Sequence, residues 1–418
     1  MKTLVIGLMT TAITAVPVFA NKAAVLDNYS NIAVAKYEDS LTTAKTLQAA
    51  VNALIANPST ETLSTAKTAW VASRVPYQQT EVYRFGNAIV DDWEGKVNAW
   101  PLDEGLIDYV DPTYGTATDE NAYAVLNVIA NPTITLSGKE IDASVITSEL
   151  LEGALHEADE VESNVATGYH AIEFLLWGQD LNGHNNGAGN RPWSDFSQSA
   201  GCTGGNCDRR GAYLKAATDL LVSDLEWMTA QWQLGGAARA ELMKDENAGI
   251  TAMLTGMGSL SYGEQAGERM KLGLMLNDPE EEHDCFSDNT HNSHFYDGLG
   301  VQNVYLGKYT RIDGSVISGA SLAKLVAAAD ASVDKALQSE LSATMIELGE
   351  LKAAADGGFS YDQMLERGNK KGEALITDAV NALVTQTKSI ERATTVLGLD
   401  TIAFEGSDSL DNPTAVFK

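Results

Sequence analysis

The chain has 418 residues, 44% of them hydrophobic, with 57 acidic against 28 basic residues and a formal charge of −29. So acidic a surface repels nucleic acid and anionic lipid, which excludes both as main partners. The length and apolar content are enough for a large core or for two core units.

Met1-Lys2 and an apolar run from Leu4 to Ala20, closing on Val18-Phe19-Ala20, read as a cleavable signal peptide over residues 1–20. No later run is long and apolar enough to be a transmembrane helix, so the mature chain is expected outside the cytoplasm, soluble or peripheral to a membrane. Residues 24–56 have helical periodicity. Pro58 breaks the run, and Ser59 is placed to cap a second helix reaching about Phe85 with a kink at Pro76. Arg74, Tyr77 and Glu81 fall near one face of that helix. Residues 86–117, rich in Gly, Asp, Pro and Trp, read as a long ordered loop of the kind that serves a site. A helix near 119–130, a hairpin from Thr133 to Ile141 turning at Ser137-Gly138, and a helix near 147–160 lead to the apolar stretch Gly168–Asp180. The Gly/Asn-rich loop 181–207 follows. Its Cys202 and Cys207 are close enough for a local disulfide in an oxidising compartment, which leaves Cys285 over.

From Asp208 a long helix carries an apolar stripe that includes Leu214, Leu221, Leu225 and Trp232. A helix near 237–276 bears Glu264 and Arg269. The acidic segment 280–294 holds half of the six histidines. A helix near 293–307, a hairpin over Arg311–Val316, a helix over 319–355, a short one opened by Ser360, and a last one over 370–397 complete the chain. The expected fold is all-α, in two helical-bundle halves, residues 21–207 and 208–418, with small β-hairpins in the connections. His170-x-x-Glu173 in one half and His294-x-x-Asp297 in the other suggest a diverged duplication with a site between the halves.

On a helix, His170 and Glu173 share a face, where they could hold one cation or one could orient the other. The plain alternative is a core histidine hydrogen-bonded to a nearby carboxylate. Asp288, His291, His294 and Asp297 recur at spacings of three and would line one face if helical. Imidazole with carboxylate suits zinc, iron or manganese, and two histidines with one carboxylate suit ferrous iron. A solvated acidic loop is the competing reading, and the preferred one for His283 and Glu280–Glu282. Asp180-Leu181-Asn182-Gly183-His184 opens like a calcium loop but lacks the glycine and closing glutamate of an EF-hand. H-E-x-x-H, P-loop and dinucleotide motifs are absent.

Gly168-Tyr169-His170-Ala171-Ile172-Glu173 resembles the G-x-H-x-x-E signature of the imelysin family. The helix with Trp70, Arg74, Tyr77, Glu81 and Phe85 resembles that family's first shared region, as do Arg191-Pro192-Trp193 and Asp208-Arg209-Arg210. Gly263–Met270 followed by Asp284–His291 is similar to the iron-regulated, IrpA-like branch. The likeness runs over essentially the whole mature chain. It implies two bundle-like halves, an interface site containing His170 and Glu173, a bacterial envelope location and a link to iron uptake.

Three readings follow. In the first, the protein binds a metal ion for an envelope iron-uptake system. The ion is divalent or ferric, iron first and zinc as the alternative. Its ligands are His170, Glu173, Glu81, Asp288 and His291, with Arg74, Tyr77, Glu264, Arg269 and His294 in support. In the second it is a metallopeptidase with Glu173 as the catalytic base. In the third its cleft binds a peptide, glycan or porphyrin without catalysis.

Overall fold

The computed structural model describes residues 21–117, 121–198 and 200–417; the expected signal peptide lies outside them. Helix α1 spans Lys22–Ala56, opened by the Asn21 side chain, which accepts from the Ala24 amide. Ser59 and Thr62 form a capping box at the start of α2, Thr60–Gln78. The helix ends at Gln78 rather than near Phe85. Pro76 has no N–H to continue the ladder, and the chain passes into a tight turn at Glu81–Tyr83. Helix α3 (Ala88–Asn98), α4 (Gly168–Trp177) and α5 (Cys207–Trp232) follow. Helix α6 (Glu246–Ser259) continues without a break into a π-helical segment, Leu260–Leu272. Then come α7 (Thr290–Leu306), α8 (Ala331–Asp356) and α9 (Lys370–Val396).

The fold is all-α with two small hairpins. In the first, β1 (Thr133–Leu136) pairs with β2 (Lys139–Asp142), Ile134 opposite Ile141, and the turn is Ser137-Gly138, both at positive φ. In the second, β3 (Lys308–Thr310) pairs with β4 (Val316–Ser318). The helix expected near 119–130 does not form over the described part, residues 121–130. Residues 121–130 are turns whose amides bond to the carbonyls of Gly105, Leu106 and Ile107. Of the expected 147–160 stretch, Ser148–Leu155 is helical and Ala158–Glu160 forms a separate 3-10 turn. Asp330 caps α8 and thereby divides the expected 319–355 helix, with Leu322–Ala329 preceding it.

Among the described residues, two large apolar cores organise these elements, and a small one joins Ile32 and Ala35 of α1 to Tyr309 of β3. The larger takes side chains from α1 to α6, including Trp70, Tyr83, Leu175 and Trp232. The second packs Met270 of the π-segment with Leu348 of α8, Met364, and Ile376 and Leu383 of α9. Helix α5, which a division at residue 207 assigns to the second half, packs on α1 and α4 of the first. Helix α7 bridges the cores. It touches α2 on one side and α8 on the other, and Gly300 lets it approach closely: a Cβ there would sit 2.8 Å from the Gln79 carbonyl oxygen. No helix among the described residues is long and apolar enough to cross a membrane.

Candidate metal centre

Helix α4 is buried along its whole length. Its first residue, Gly168, has φ +78°, and a Cβ there would fall 2.4 Å from the Val97 carbonyl oxygen of α3. Only glycine meets both conditions. That tight seat fixes the rotation of α4 and aims His170 and Glu173 at the turn between Glu282 and Asp288.

His170 Nδ1 lies 3.0 Å from Glu173 Oε2. The other Glu173 oxygen accepts from the Ser287 amide at 3.0 Å and the Ser287 hydroxyl at 2.6 Å. Both side chains are buried, and His170 Nε2 is buried without a partner. The ring of His283 meets that of His170 edge-on, centroids 4.8 Å apart. One ligating atom each from His170, His283 and Asp284 lie within 4.8 Å of one another. Asp284 is held by Arg74 at 2.9 Å, by Asn289 at 2.7 Å and by the Ser293 hydroxyl. Arg74 also donates to Asn98 at 2.7 Å and stacks on the rings of Tyr77 and Tyr169.

Burial, reinforced by Arg74, pushes His170 down to about 3. Burial and then Arg269 lower His283 well below the usual imidazole range. Both rings are therefore neutral at physiological pH, the form that carries a free lone pair. Burial opposes ionisation of Asp284, but Arg74 and His283 outweigh it and hold the carboxyl well below the usual carboxylate range. Burial and the neighbouring Asp284 raise Glu173, against the Ser287 bonds.

A second buried cluster lies alongside. Arg269, on the π-segment, binds Glu81 at 2.7 Å, Glu264 at 2.8 Å and Asp297 at 3.1 Å. The wide π-helical turn is a device found often at functional sites. Arg269 and His283 both line a cleft of about 450 Å³ that also exposes Arg84, Glu94, Trp100 and Glu264.

The structure distributes the expected site residues over several places. His170, Glu173 and Arg74 come together. Glu81 and Glu264 are neutralised by Arg269 rather than presented to His170. Tyr77 is a buried stacking partner of Arg74. His291 faces outward to Asp356 at 3.2 Å, and His294 stacks on Tyr361. Asp288 groups with Asp180 and Asp362 instead of with His170. The spacing of three fails because α7 starts at Thr290, so Asp288 lies in the preceding turn at φ +54°. His283, read from sequence as part of a solvated loop, and the neighbouring Asp284 are buried against His170. Their signal is a long-range pair, Arg74 with Asp284, which local spacing does not reveal. Cys202 and Cys207 form a disulfide, and Cys285 is free.

These features define an all-helical protein with a buried histidine–carboxylate–arginine centre where α2, α4, the π-segment and α7 converge. The imelysin family model matches residues 33–390, and the chain belongs to the imelysin family. Two solved structures share the fold. A protein named as an iron-regulated protein A precursor, from Parabacteroides distasonis ATCC 8503, aligns over 92% of this chain and 97% of its own, at 19% identity and a TM-score of 0.64. An imelysin-like protein from Psychrobacter arcticus 273-4 aligns over 92% and 98%, at 16% identity and a TM-score of 0.54. No curated protein matches the chain.

Proposed function

We propose that this protein binds a transition-metal ion, iron first and zinc as the alternative, for iron acquisition in a bacterial envelope. His170 and His283 would hold the ion with Asp284. The observation that carries this reading is the state of His170. Its Nδ1 is fixed by Glu173, and its Nε2 is buried with no partner. An unpaired polar atom in the core costs free energy unless something binds it. A ligating histidine typically has its second nitrogen held by a carboxylate in this way. Glu173 is then the orienting partner of His170 rather than a ligand, and Ser287 orients Glu173. Two neutral imidazoles and a carboxylate suit first-row transition metals better than calcium or magnesium. The iron-regulated name of the Parabacteroides protein supports iron over zinc.

The test is calorimetric titration of the purified, metal-stripped protein with ferrous, ferric and zinc ions. The expected result is saturable binding that is lost in His170→Ala and His283→Ala, and weakened about 10–100-fold in Glu173→Gln. Binding that is absent, or unchanged in His170→Ala, refutes the reading.

A further inference from the structure

A further cluster, made of carboxylates alone, includes Asp288 from the turn that carries His283 and Asp284. Asp180 follows α4, Asp288 ends the turn, and Asp362 opens the short helix Tyr361–Leu365. One carboxylate oxygen from each lies within 4.8 Å of the others. The arrangement differs from the arginine-bound clusters in one respect. Among the described residues, none of these three, nor Glu282 beside them, pairs with a lysine, arginine or histidine. By contrast, Asp284 has Arg74, and Glu81, Glu264 and Asp297 have Arg269.

Glu282 supplies an independent observation. It is fully buried, its two carboxylate oxygens make no hydrogen bond, and the polar groups beside it are the Asp362 carboxyl and the Thr290 hydroxyl. The charged groups it faces are Asp362, carboxyl to carboxyl, and Asp288. Asp362 is itself buried with Oδ2 unpartnered, and Asp288 Oδ1 is also buried without a partner. The local hydrogen bonds leave oxygens free: Asp180 Oδ1 accepts from Asn182, and Asp288 Oδ2 from the Gly187 amide. Buried charges persist when they are paired or coordinate a metal.

We propose that Asp180, Asp288 and Asp362, with the buried Glu282 beside them, form a binding site for a hard divalent cation, calcium, separate from the His170 centre. The donors are all oxygen, which disfavours zinc, copper and iron. Oxygens bound to one calcium at about 2.3–2.6 Å can be no more than about 5 Å apart, and the three carboxylates meet that limit. Magnesium seldom takes an all-protein carboxylate cage and keeps several waters. The ligands come from three separate segments, so the ion would tie the loop after α4 and the turn beside the His170 centre to the α8–α9 bundle.

The test compares thermal unfolding of the full chain after EGTA treatment, in calcium chloride, magnesium chloride and ionic-strength-matched potassium chloride. The variants are Asp288→Asn and Asp362→Asn, with His170→Ala as a control. Calcium is expected to raise the wild-type Tm saturably, and magnesium clearly less. Both Asn variants should unfold at or above the wild-type Tm without metal, since a repulsion has been removed, and should lose the calcium response. His170→Ala should keep that response, so the result is independent of the fate of the transition-metal reading. A calcium effect no larger than that of potassium, a response retained in both Asn variants, or one lost in His170→Ala overturns the proposal.

Discussion

Replacing Arg269 with methionine tests how the buried charge is balanced. The guanidinium is 2% exposed and bonds to Glu81, Glu264 and Asp297. Glu264 would retain Arg84 at 3.5 Å, but Glu81 and Asp297 are almost fully buried and would lose their only ion-pair partner among the described residues. Removing one side of a buried pair costs about 3–5 kcal/mol, since the remaining charge stays desolvated. For a chain of this size that lowers Tm by about 4–6 °C. The sign of the pH dependence is specific. Carboxyls stranded without a cation have folded pKa values above their unfolded ones, so the variant approaches wild type below about pH 4 and falls away from it as pH rises. Differential scanning calorimetry of both proteins at pH 5 and pH 8 reads this directly. A deficit below about 1 kcal/mol at pH 8, or one that grows on acidification, would refute the assignment of Arg269 as the counter-charge.

Gly168→Ala places a Cβ against the Val97 carbonyl at a positive φ, and should destabilise by about 3 kcal/mol or more in chemical denaturation; a change under about 1 kcal/mol would show that α4 can shift. Burial, then Arg269, pushes His294 down to about 3, so its contribution to stability is full above about pH 6.5 and is lost as pH falls from there toward 3, by about 1.4 kcal/mol per pH unit. His294→Phe should therefore flatten the acid limb of a Tm-against-pH curve by one proton, and an unchanged slope contradicts the assignment. Reducing Cys202–Cys207 opens a short loop and should cost about 2 kcal/mol, read as a lower Tm in dithiothreitol with no change in metal binding.

Local signals carried much of the architecture. Ser59 acts as a cap, Ser137-Gly138 makes the hairpin turn, and the apolar stripe of α5 faces the core, each for reasons within one turn of chain. Failures occurred where tertiary partners decide. Residues 121–130 give up helix to pair with Gly105–Ile107, a contact that periodicity does not encode. At the site, the buried pair in the G-x-H-x-x-E stretch was legible because a histidine and a glutamate on an apolar helix need partners. Which partners they have was not legible. His283, Asp284 and Ser287 lie over a hundred residues away, in a turn that looks solvated when read alone. Glu81 has the acidic character of a ligand, yet Arg269 already occupies it.

The most direct test of the account is anomalous diffraction from crystals of the full protein soaked in ferrous iron, recorded on both sides of the iron edge. The account predicts one anomalous peak at bonding distance from His170 Nε2 and His283, with Glu173 still on His170 Nδ1. A well-ordered His170 with no peak beside it at saturating iron would contradict the account.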